Sequence, residues 1–351
     1  MLRLQPFFLS SLLVICILNS AMAQRPRSSI IIGESLADTK NPKPGKLDSP
    51  FGVDFDAAGN MYIVELSGGR IHKLDTTGKF TTIAGDGSKA YSGDEGPARK
   101  ATFNGMHNVA VTPTGDVYIS DSWNHCIRKI DGKTGIITTV AGTGQAGFSG
   151  DDGQASKATF NFLMCISLNS THNKIYVADL KNLRVRVVDL KTGIINTVAG
   201  NGEKGIPRDG DLATKSPLVD PRAVAVDSRG NVYILERSGH ALRIVTPDGR
   251  IRTVAGTGKP GGSEGPALEA ELNSPKHIAI DLADNVIIAD DQNKRICKYD
   301  PRQGTLTSIL GKGVEVPRRG LLRPHGVCVH EDGSIYVVDT GHHRIIRLQL
   351  P

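Results

Sequence analysis

The chain has 351 residues, of which 39% are hydrophobic and 40 are glycine. This composition is typical of many short strands joined by tight turns and excludes a disordered chain. The net charge of +6 comes from 42 basic and 36 acidic side chains spread over the whole length, so it gives no support to a nucleic-acid partner.

The N-terminal 23 residues are predicted to be a cleavable signal peptide. Arg3 provides a positive start, Phe7–Leu18 is apolar, and residues 21–23 are the small residues of a cleavage site. We expect cleavage after Ala23 and a secreted or periplasmic protein. The apolar run is shorter than the about 20 residues that a membrane span needs, and no second run exists, so we expect no membrane span.

The rest of the chain consists of six copies of one repeat, which begin at Val53, Val109, Ile166, Val224, Ile278 and Val327. Each copy predicts four strands, because apolar and polar residues alternate in segments bounded by Gly or Asp. In the second copy these strands are Val109–Val111, Val117–Asp121, Ile127–Ile130 and Ile136–Ala141. Glycines between the first two strands are expected at positive φ, as tight hairpins require.

Six four-stranded units predict an all-β fold, a six-bladed β-propeller. The last copy ends after its third strand, residues 344–350, and the fourth strand that it lacks resembles residues 29–33. We therefore expect residues 24–46 to provide a closing strand and a linker. Residues 47–351 are expected to form the propeller as one domain.

The pattern from Val224 to Tyr233, followed by Thr-Val-Ala-Gly near the end of the copy, resembles the NHL repeat. The resemblance covers nearly everything after residue 28, and residues 141–160 are similar to a loop of extracellular NHL propellers, including secreted bacterial ones and the teneurin propeller. It implies the propeller fold with four-stranded NHL-type blades. It leaves the activity open, because the family spans protein-binding sensors, RNA binders and lyases.

Two short motifs are explained better by the repeat than by chemistry. Residues 200–205 fit the GxGxxG pattern, but they lead into a blade connection and not into the helix that a dinucleotide site requires. Residues 261–265 fit GxSxG, again without the strand-to-helix turn of a nucleophile elbow. The four cysteines that follow the signal peptide permit two disulfides in an exported protein, although small buried residues explain them as well. They are Cys126, Cys165, Cys297 and Cys328.

Acidic residues recur at two positions of the repeat. An Asp or Glu ends the second strand of every copy, and we expect it to accept turn N–H groups or to pair with a nearby arginine. The candidate arginines are Arg70, Arg184, Arg295 and Arg344. Further carboxylates such as Asp94 and Asp151 lie between copies, and we expect them to cap short helical turns rather than to bind calcium.

One position of the repeat varies from copy to copy, two residues before the start of each aligned copy. It should face the mouth of the central channel, where loops and strand starts meet. These residues are Phe51, His107, Met164, Arg222, Lys276 and His325, with His277 beside Lys276. A purely structural position should look alike in every copy, so this ring is the candidate site. The cations fit a carboxylate, a phosphate or a sugar acid, and the imidazoles fit a divalent metal.

We expect a monomeric binding module for an extracellular peptide, glycan or protein, with no nucleic-acid partner and no firmly implied cofactor. Its expected ligand contacts are His107, Met164, Arg222, Lys276, His277 and His325. The alternative is a metal-dependent lyase or lactonase with one Zn or Ca ion. The resemblance to NHL lyases that release an amidated peptide implies zinc near the inner strand starts, here at His107 and His325. A gluconolactonase-like cage of Glu, Asn and Asp has no counterpart in the ring, and a scaffold using the outer edges is a third possibility.

Overall fold

The computed structural model describes residues 26–33 and 46–351. The predicted signal peptide, residues 1–23, and residues 34–45 of the predicted linker lie outside the described residues. Within the described ranges, regular structure consists of β-strands and three-residue 3₁₀ turns, without an α-helix. Accordingly, these ranges contain no helix with the length and apolar character of a membrane span.

The strands form six antiparallel sheets, which are the six blades predicted from the repeats. Blade one contains the strands Pro50–Phe55, Met61–Glu65, Ile71–Leu74 and Phe80–Ala84. Blade two contains Met106–Val111, Val117–Asp121, Cys126–Ile130 and Ile136–Ala141. Blade three contains Leu163–Leu168, Lys174–Asp179, Arg184–Asp189 and Ile195–Ala199. Blade four contains Pro221–Val226, Val232–Glu236, Ala241–Val245 and Ile251–Ala255. Blade five contains His277–Ile280, Val286–Asp290, Arg295–Asp300 and Thr305–Leu310. Blade six contains Pro324–Val329, Ile335–Asp339, Arg344–Gln349 and the N-terminal strand Arg27–Gly33. Two-residue strands, Gly96–Pro97 and Gly265–Pro266, extend blades two and five.

The connections are short turns with few helical residues. The hairpins between first and second strands place Gly59, Gly115, Gly230 and Gly333 at φ between 78° and 87°, as predicted, and only glycine reaches this region without strain. The 3₁₀ turns are Ala98–Lys100, Ser122–Asn124, Ala155–Lys157, Leu180–Asn182, Ala213–Lys215 and Thr340–His342.

The hydrophobic core lies mainly between neighbouring blades. Phe103 is fully buried in a cluster with Val64 of blade one and Ile119 of blade two. Phe160 occupies the same place between blades two and three. A buried Leu or Phe recurs here in each copy, four residues before the variable ring position: Leu47, Phe103, Phe160, Leu218, Leu272 and Leu321. Burying each such side chain contributes roughly 2–3 kcal/mol, so the blades depend on one another for stability.

The N-terminal strand closes the ring, which confirms the prediction. Arg27–Gly33 pairs antiparallel with Arg344–Gln349, with Ile30 opposite Ile346. Ile32 is fully buried among side chains of blades six and one, including Val338 and Ile63. The strand therefore completes blade six and seals the seam at which the propeller begins and ends.

A buried ion pair at the end of the second strand recurs in blades two to six. The pairs are Asp121–Arg128 (3.5 Å), Asp179–Arg186 (3.8 Å), Glu236–Arg243 (2.7 Å), Asp290–Arg295 (2.8 Å) and Asp339–Arg344 (2.9 Å). Two of the four predicted arginines are therefore confirmed. The assignment was wrong for Arg184, because Arg186 occupies that place and Arg184 donates to carbonyls of Asn182 and Asn201. It was also wrong for Arg70, which donates to carbonyls of Gly68 and Asp86.

The carboxylates between blades bind across the blade and do not cap helical turns, so that prediction was wrong. Asp94 accepts from Arg128 Nε at 2.9 Å and from Thr139 Oγ1 at 2.7 Å. Asp151 accepts from Arg186 and from Thr197 in the same way. The following 3₁₀ turns have no side-chain cap. A guanidinium forms a stronger, charge-assisted hydrogen bond than a turn N–H, and this decides the outcome.

All four described cysteines are free and buried thiols.

Three histidines each connect a blade to the next one, at three of the six interfaces between blades. His125, His240 and His343 have left-handed backbone conformations, with φ between 45° and 53°. The Nδ1 of each accepts a backbone N–H from the start of the next blade, at Phe162, Ser274 and Ser49, over 3.0–3.2 Å. These bonds fix the backbone that leads to the innermost strands.

Candidate functional site

The variable ring residues lie at the starts of the innermost strands, where the strand pairing is irregular. The register with the second strand shifts between Pro50 and Gly52, and between Met106 and Asn108. Equivalent shifts enclose Met164, Arg222 and His325, whereas Lys276 directly precedes its strand. A β-bulge turns the extra side chain out of the ladder. The repeat therefore directs this one position toward the mouth of the channel.

The mouth residues converge on the ring of Phe51. His107 and His325 pack against it with ring centroids at 4.7 Å and 4.8 Å. The guanidinium of Arg222 lies 5.7 Å from the centre of the same ring. Met164 is buried at the corresponding position of blade three. We call Phe51, His107, Arg222, Lys276, His325 and Asp291 the mouth cluster.

Asp291 is the carboxylate of the mouth cluster. Its Oδ2 lies 3.8 Å from Lys276 Nζ, and its Oδ1 lies 3.5 Å from His325 Nε2. Nearby, Asp220 is bound by Arg237 at 3.0 Å. Arg222 is buried and has no carboxylate of its own among the described residues. The cluster thus holds an excess of positive charge.

Unsatisfied hydrogen-bonding atoms are concentrated in this cluster. Among the described residues, four buried side-chain N or O atoms have no hydrogen-bond partner, and three of them are Arg222 Nε, Asp291 Oδ1 and His325 Nδ1. The contact between Asp291 and His325 is attractive but does not have hydrogen-bond geometry. An unpaired buried polar group costs about 1–3 kcal/mol, so these three atoms carry a free-energy cost within the described part of the fold.

Burial and mutual repulsion shift the titration of the cations. Burial lowers the pKa of Arg222 to about 10, and repulsion from Arg237 adds to this effect. Burial, with repulsion from Arg222, lowers the pKa of Lys276 to about 8. The pKa of His107 is well below its usual value for the same two reasons, and burial also lowers the pKa of His325. At neutral pH the cluster presents two cations beside two neutral imidazoles.

Aromatic side chains extend the mouth around His107. Trp123 is 39% exposed, with its ring 6.3 Å from that of His107, and the ring of Phe162 lies 5.8 Å from it. Phe162 has φ of +60°, at a position that is Gly105 in the preceding copy. A bulky residue in this region is rare and strained. Strain at such a position fits a side chain retained for its contacts.

His277 lies deeper than the other predicted residues, inside the channel. Its Nε2 is 2.8 Å from Asn108 Nδ2 and 3.6 Å from Cys165 Sγ, and Asn108 Oδ1 accepts the N–H of Ile166. Burial lowers the pKa of His277 to about 4. We call His277, Asn108 and Cys165 the channel plug. These contacts give His277 a structural role within the channel.

Beyond the plug, the channel forms a cavity of about 420 Å³ lined mainly by Val, Ile and Ala from the inner strands. Its buried carboxyl, Asp54, accepts the N–H of Val111 at 2.7 Å and lies 3.3 Å from Cys328 Sγ. Burial raises the pKa of Asp54 to about 6. The two ends of the channel therefore differ strongly in character.

Sequence reasoning missed Asp291, Arg237, Trp123 and Phe162. The first two follow the acid that ends the second strand, and this column also varies from copy to copy: Leu66, Ser122, Leu180, Arg237, Asp291 and Thr340. The same criterion that identified the ring would have found them. Phe162 is indicated by an aromatic where the preceding copy has glycine.

The geometry gives limited support to the predicted metal site. His107 Nδ1 lies 2.8 Å from the carbonyl oxygen of Gly105, to which it donates, so Nε2 remains available. Within residues 26–33 and 46–351, no group of three or more His, Cys, Asp or Glu side chains is arranged to hold a metal ion. Zinc or calcium binding at His107 and His325 stays a prediction.

Comparisons with known proteins agree with the fold. The NHL repeat model matches residues 103–130 and 321–348. NHL repeat-containing protein 2 of Gallus gallus is 25% identical over 349 residues, covering 88% of this chain and 47% of that protein. The chain thus spans about half or less of the length of the curated relatives it matches.

Solved propellers show the same architecture at low identity. An auxiliary nutrient binding protein from Bacteroides ovatus ATCC 8483 superposes with a TM-score of 0.67 and 13% identity, over 93% of this chain and 76% of that chain. A streptogramin B lyase gives a TM-score of 0.57 and 14% identity, over 93% and 98%. At these identities the likeness concerns the fold alone. The chain is therefore a six-bladed propeller in which the NHL repeat model matches parts of blades two and six, and its curated relatives include NHL repeat-containing proteins.

Proposed function

We propose that this propeller binds a carboxylate-bearing ligand at the mouth cluster, outside the cytoplasm. The observation that carries the proposal is Arg222, a buried guanidinium without a carboxylate partner in a cluster with three unsatisfied polar atoms. A carboxylate offers two acceptor oxygens in the plane that a guanidinium requires. Lys276 supplies a second charge beside it.

The surroundings suit a ligand that has a ring or an apolar part next to its charge. Trp123 and Phe162 border the mouth near His107, and aromatic faces bind flat sugar or side-chain surfaces. The peptide and glycan ligands expected from the sequence both include members with such a group. One propeller of the same fold is named a nutrient binding protein, which is compatible with small-ligand binding. The location outside the cytoplasm rests on the pattern in residues 1–23.

The single tryptophan of the chain provides the test, because Trp123 lies at the mouth. Its fluorescence would be followed on addition of uronic acids and of short peptides with a free C-terminal carboxylate. Each ligand is paired with its uncharged counterpart, the neutral sugar or the peptide amide. We expect at least one charged ligand to bind about tenfold or more tightly than its counterpart, as one charge-assisted bond provides.

Two variants complete the experiment. Arg222→Met should abolish the preference for the charged ligand, whereas Arg250→Met, at a side chain that is 58% exposed, should leave it unchanged. Equal binding of charged and neutral ligands, or a preference that persists without Arg222, would overturn the proposal. If sugar phosphates bind more tightly than both the uronic acids and the peptides, the mouth cluster would remain the binding site, and its ligand would carry a phosphate instead of a carboxylate.

A further inference from the structure

Blade one departs from the ion-pair pattern of the other five blades. Its second strand ends at Glu65, but the position seven residues later, which is arginine in blades two to four, is His72. In blades five and six the arginine lies five residues after the acid, and the residue there in blade one is Arg70. Arg70 donates to two carbonyl groups and not to Glu65. Glu65 is instead met by His72, with Nε2 3.1 Å from Oε1.

The arginines of the other blades also hold the connection that leads into each blade. Arg186 donates to the carbonyls of Thr159 and Ser149 at 2.9 Å and 2.8 Å. Arg295 donates to those of Gly262 and Glu271 at 3.0 Å and 2.7 Å. An imidazole is shorter and has no such fork of donors. Blade one consequently has open space where its sister blades have a guanidinium.

Beside His72, at the seam between blades six and one, lies a cavity of about 880 Å³, which we call the seam pocket. It is within the usual size range of small-ligand sites. Its lining residues include Lys46, Arg70, Arg319, His72, His342 and His343, together with Glu65 and Asp48. Arg319 and His343 are exposed, so the pocket reaches the surface.

The seam pocket has a rigid, buried polar floor. His72 is 5% exposed, its Nδ1 lies 3.1 Å from Thr82 Oγ1, and its ring stacks on Phe80 with centroids 4.7 Å apart. Glu65 Oε1 accepts the N–H of Asp48 at 2.6 Å. His72 Nε2 is the fourth buried atom without a hydrogen-bond partner among the described residues, since its contact with Glu65 is poorly directed.

The charges of the seam pocket favour an anion. Three permanent cations line it, from Lys46, Arg70 and Arg319, and none of them pairs with a carboxylate among the described residues. Of the two lining carboxylates, Glu65 is already engaged by His72 and by a backbone N–H. We infer that the seam pocket is a second binding site, independent of the mouth cluster, for a ligand with a phosphate or carboxylate group held by Arg70, Arg319 and His72.

The test uses histidine ring resonances, since His72, His342 and His343 report the seam pocket while His107 and His325 report the mouth cluster. The full-length mature protein, labelled at histidine, is titrated by NMR with inorganic phosphate and separately with acetate, against chloride at equal ionic strength. Saturable shifts at the seam histidines with either anion are expected. The two arms show whether the site prefers phosphate or carboxylate.

His72→Arg is the decisive variant, because it creates in blade one the arrangement that blades two to four already have. The new guanidinium should pair with Glu65, occupy the pocket and abolish the shifts of His342 and His343. Arg319→Ala, at an exposed position, should fold normally and weaken the binding about tenfold, the value of one charge-assisted contact. Arg222→Met should leave the seam shifts unchanged.

The inference is overturned if the seam histidines show no saturable shift with phosphate or acetate. It is equally overturned if the shifts of His342 and His343 persist in His72→Arg, or if Arg319→Ala binds as the parent does. Neither result bears on the mouth cluster, which is read independently by Trp123 fluorescence.

Discussion

Two repeated positions of this propeller carry arginine in a buried setting, with opposite surroundings. At the ends of the second strands, an acid and an arginine pair in five blades, and each guanidinium is completed by a carboxylate and by carbonyl or hydroxyl oxygens. At the mouth, the residue varies from copy to copy, and Arg222 has neither. The first column stabilises the blades. The second holds a charge that the fold itself leaves without a partner.

The sharpest test of the first column is Arg295→Met, which leaves Asp290 buried without its cation. Removing one partner of a buried ion pair costs about 3–5 kcal/mol, so the free energy of unfolding in urea should fall by that amount. Arg250→Met, whose pair with Asp248 is mostly exposed, should change it by less than about 1 kcal/mol. A loss of similar size in both variants would contradict the structural role of the column.

The channel plug predicts a pH effect on stability. The folded-state pKa of His277 is about 4, against about 6.5 in an unfolded chain. Its neutral form therefore contributes stability that is complete above pH 6.5 and is lost as the pH falls toward 4. Integrated over this window, the contribution is about 3 kcal/mol.

His277→Gln keeps an acceptor for Asn108 and removes the titrating group. Urea unfolding of the parent and the variant at pH 7.5 and pH 4 should show the parent losing about 3 kcal/mol more than the variant. Since every other titrating group is common to both proteins, parallel losses would show that His277 is not held neutral by the plug.

Arg222→Met makes the same substitution at the mouth position as Arg295→Met makes at the end of the second strand. The expected change in the free energy of unfolding has the opposite sign. Removal of a buried charge without a partner should leave stability unchanged or raise it by about 1 kcal/mol, because apolar replacements of buried charges are often stabilising. The same urea experiment measures it. A loss of more than about 2 kcal/mol would mean that Arg222 is paired in the folded protein and that the two columns do not differ.

The contrast between the columns also explains what could be predicted from the sequence. Blade number, strand positions and the closing strand follow from periodicity, and the Ser29–Gly33 segment was assigned to blade six because it resembles the missing strand. The ring at the mouth follows from comparing copies. The hydrogen-bond and ion-pair partners do not follow from periodicity. Asp179 pairs with Arg186 and not with Arg184, and Asp94 binds Arg128 and does not cap a helical turn. Both outcomes depend on which side chains face each other across strands and loops. Repeat alignment shows where a column varies but not which atoms remain unpaired.

Two neighbouring phenylalanines allow the same comparison between the mouth and the structural core. Phe162 has a strained backbone at the mouth, whereas Phe160, two residues earlier, is fully buried between blades. Phe160→Ala should cost about 3–5 kcal/mol, as for other large core truncations. Phe162→Gly should change stability by less than about 1 kcal/mol, because relief of about 1–2 kcal/mol of left-handed strain offsets the lost ring contacts. Its effect should appear in ligand binding, as a several-fold weaker response of Trp123 fluorescence to the charged ligands. A large loss of stability with unchanged binding would instead make Phe162 a core residue, and the aromatic border of the mouth would have no part in recognition.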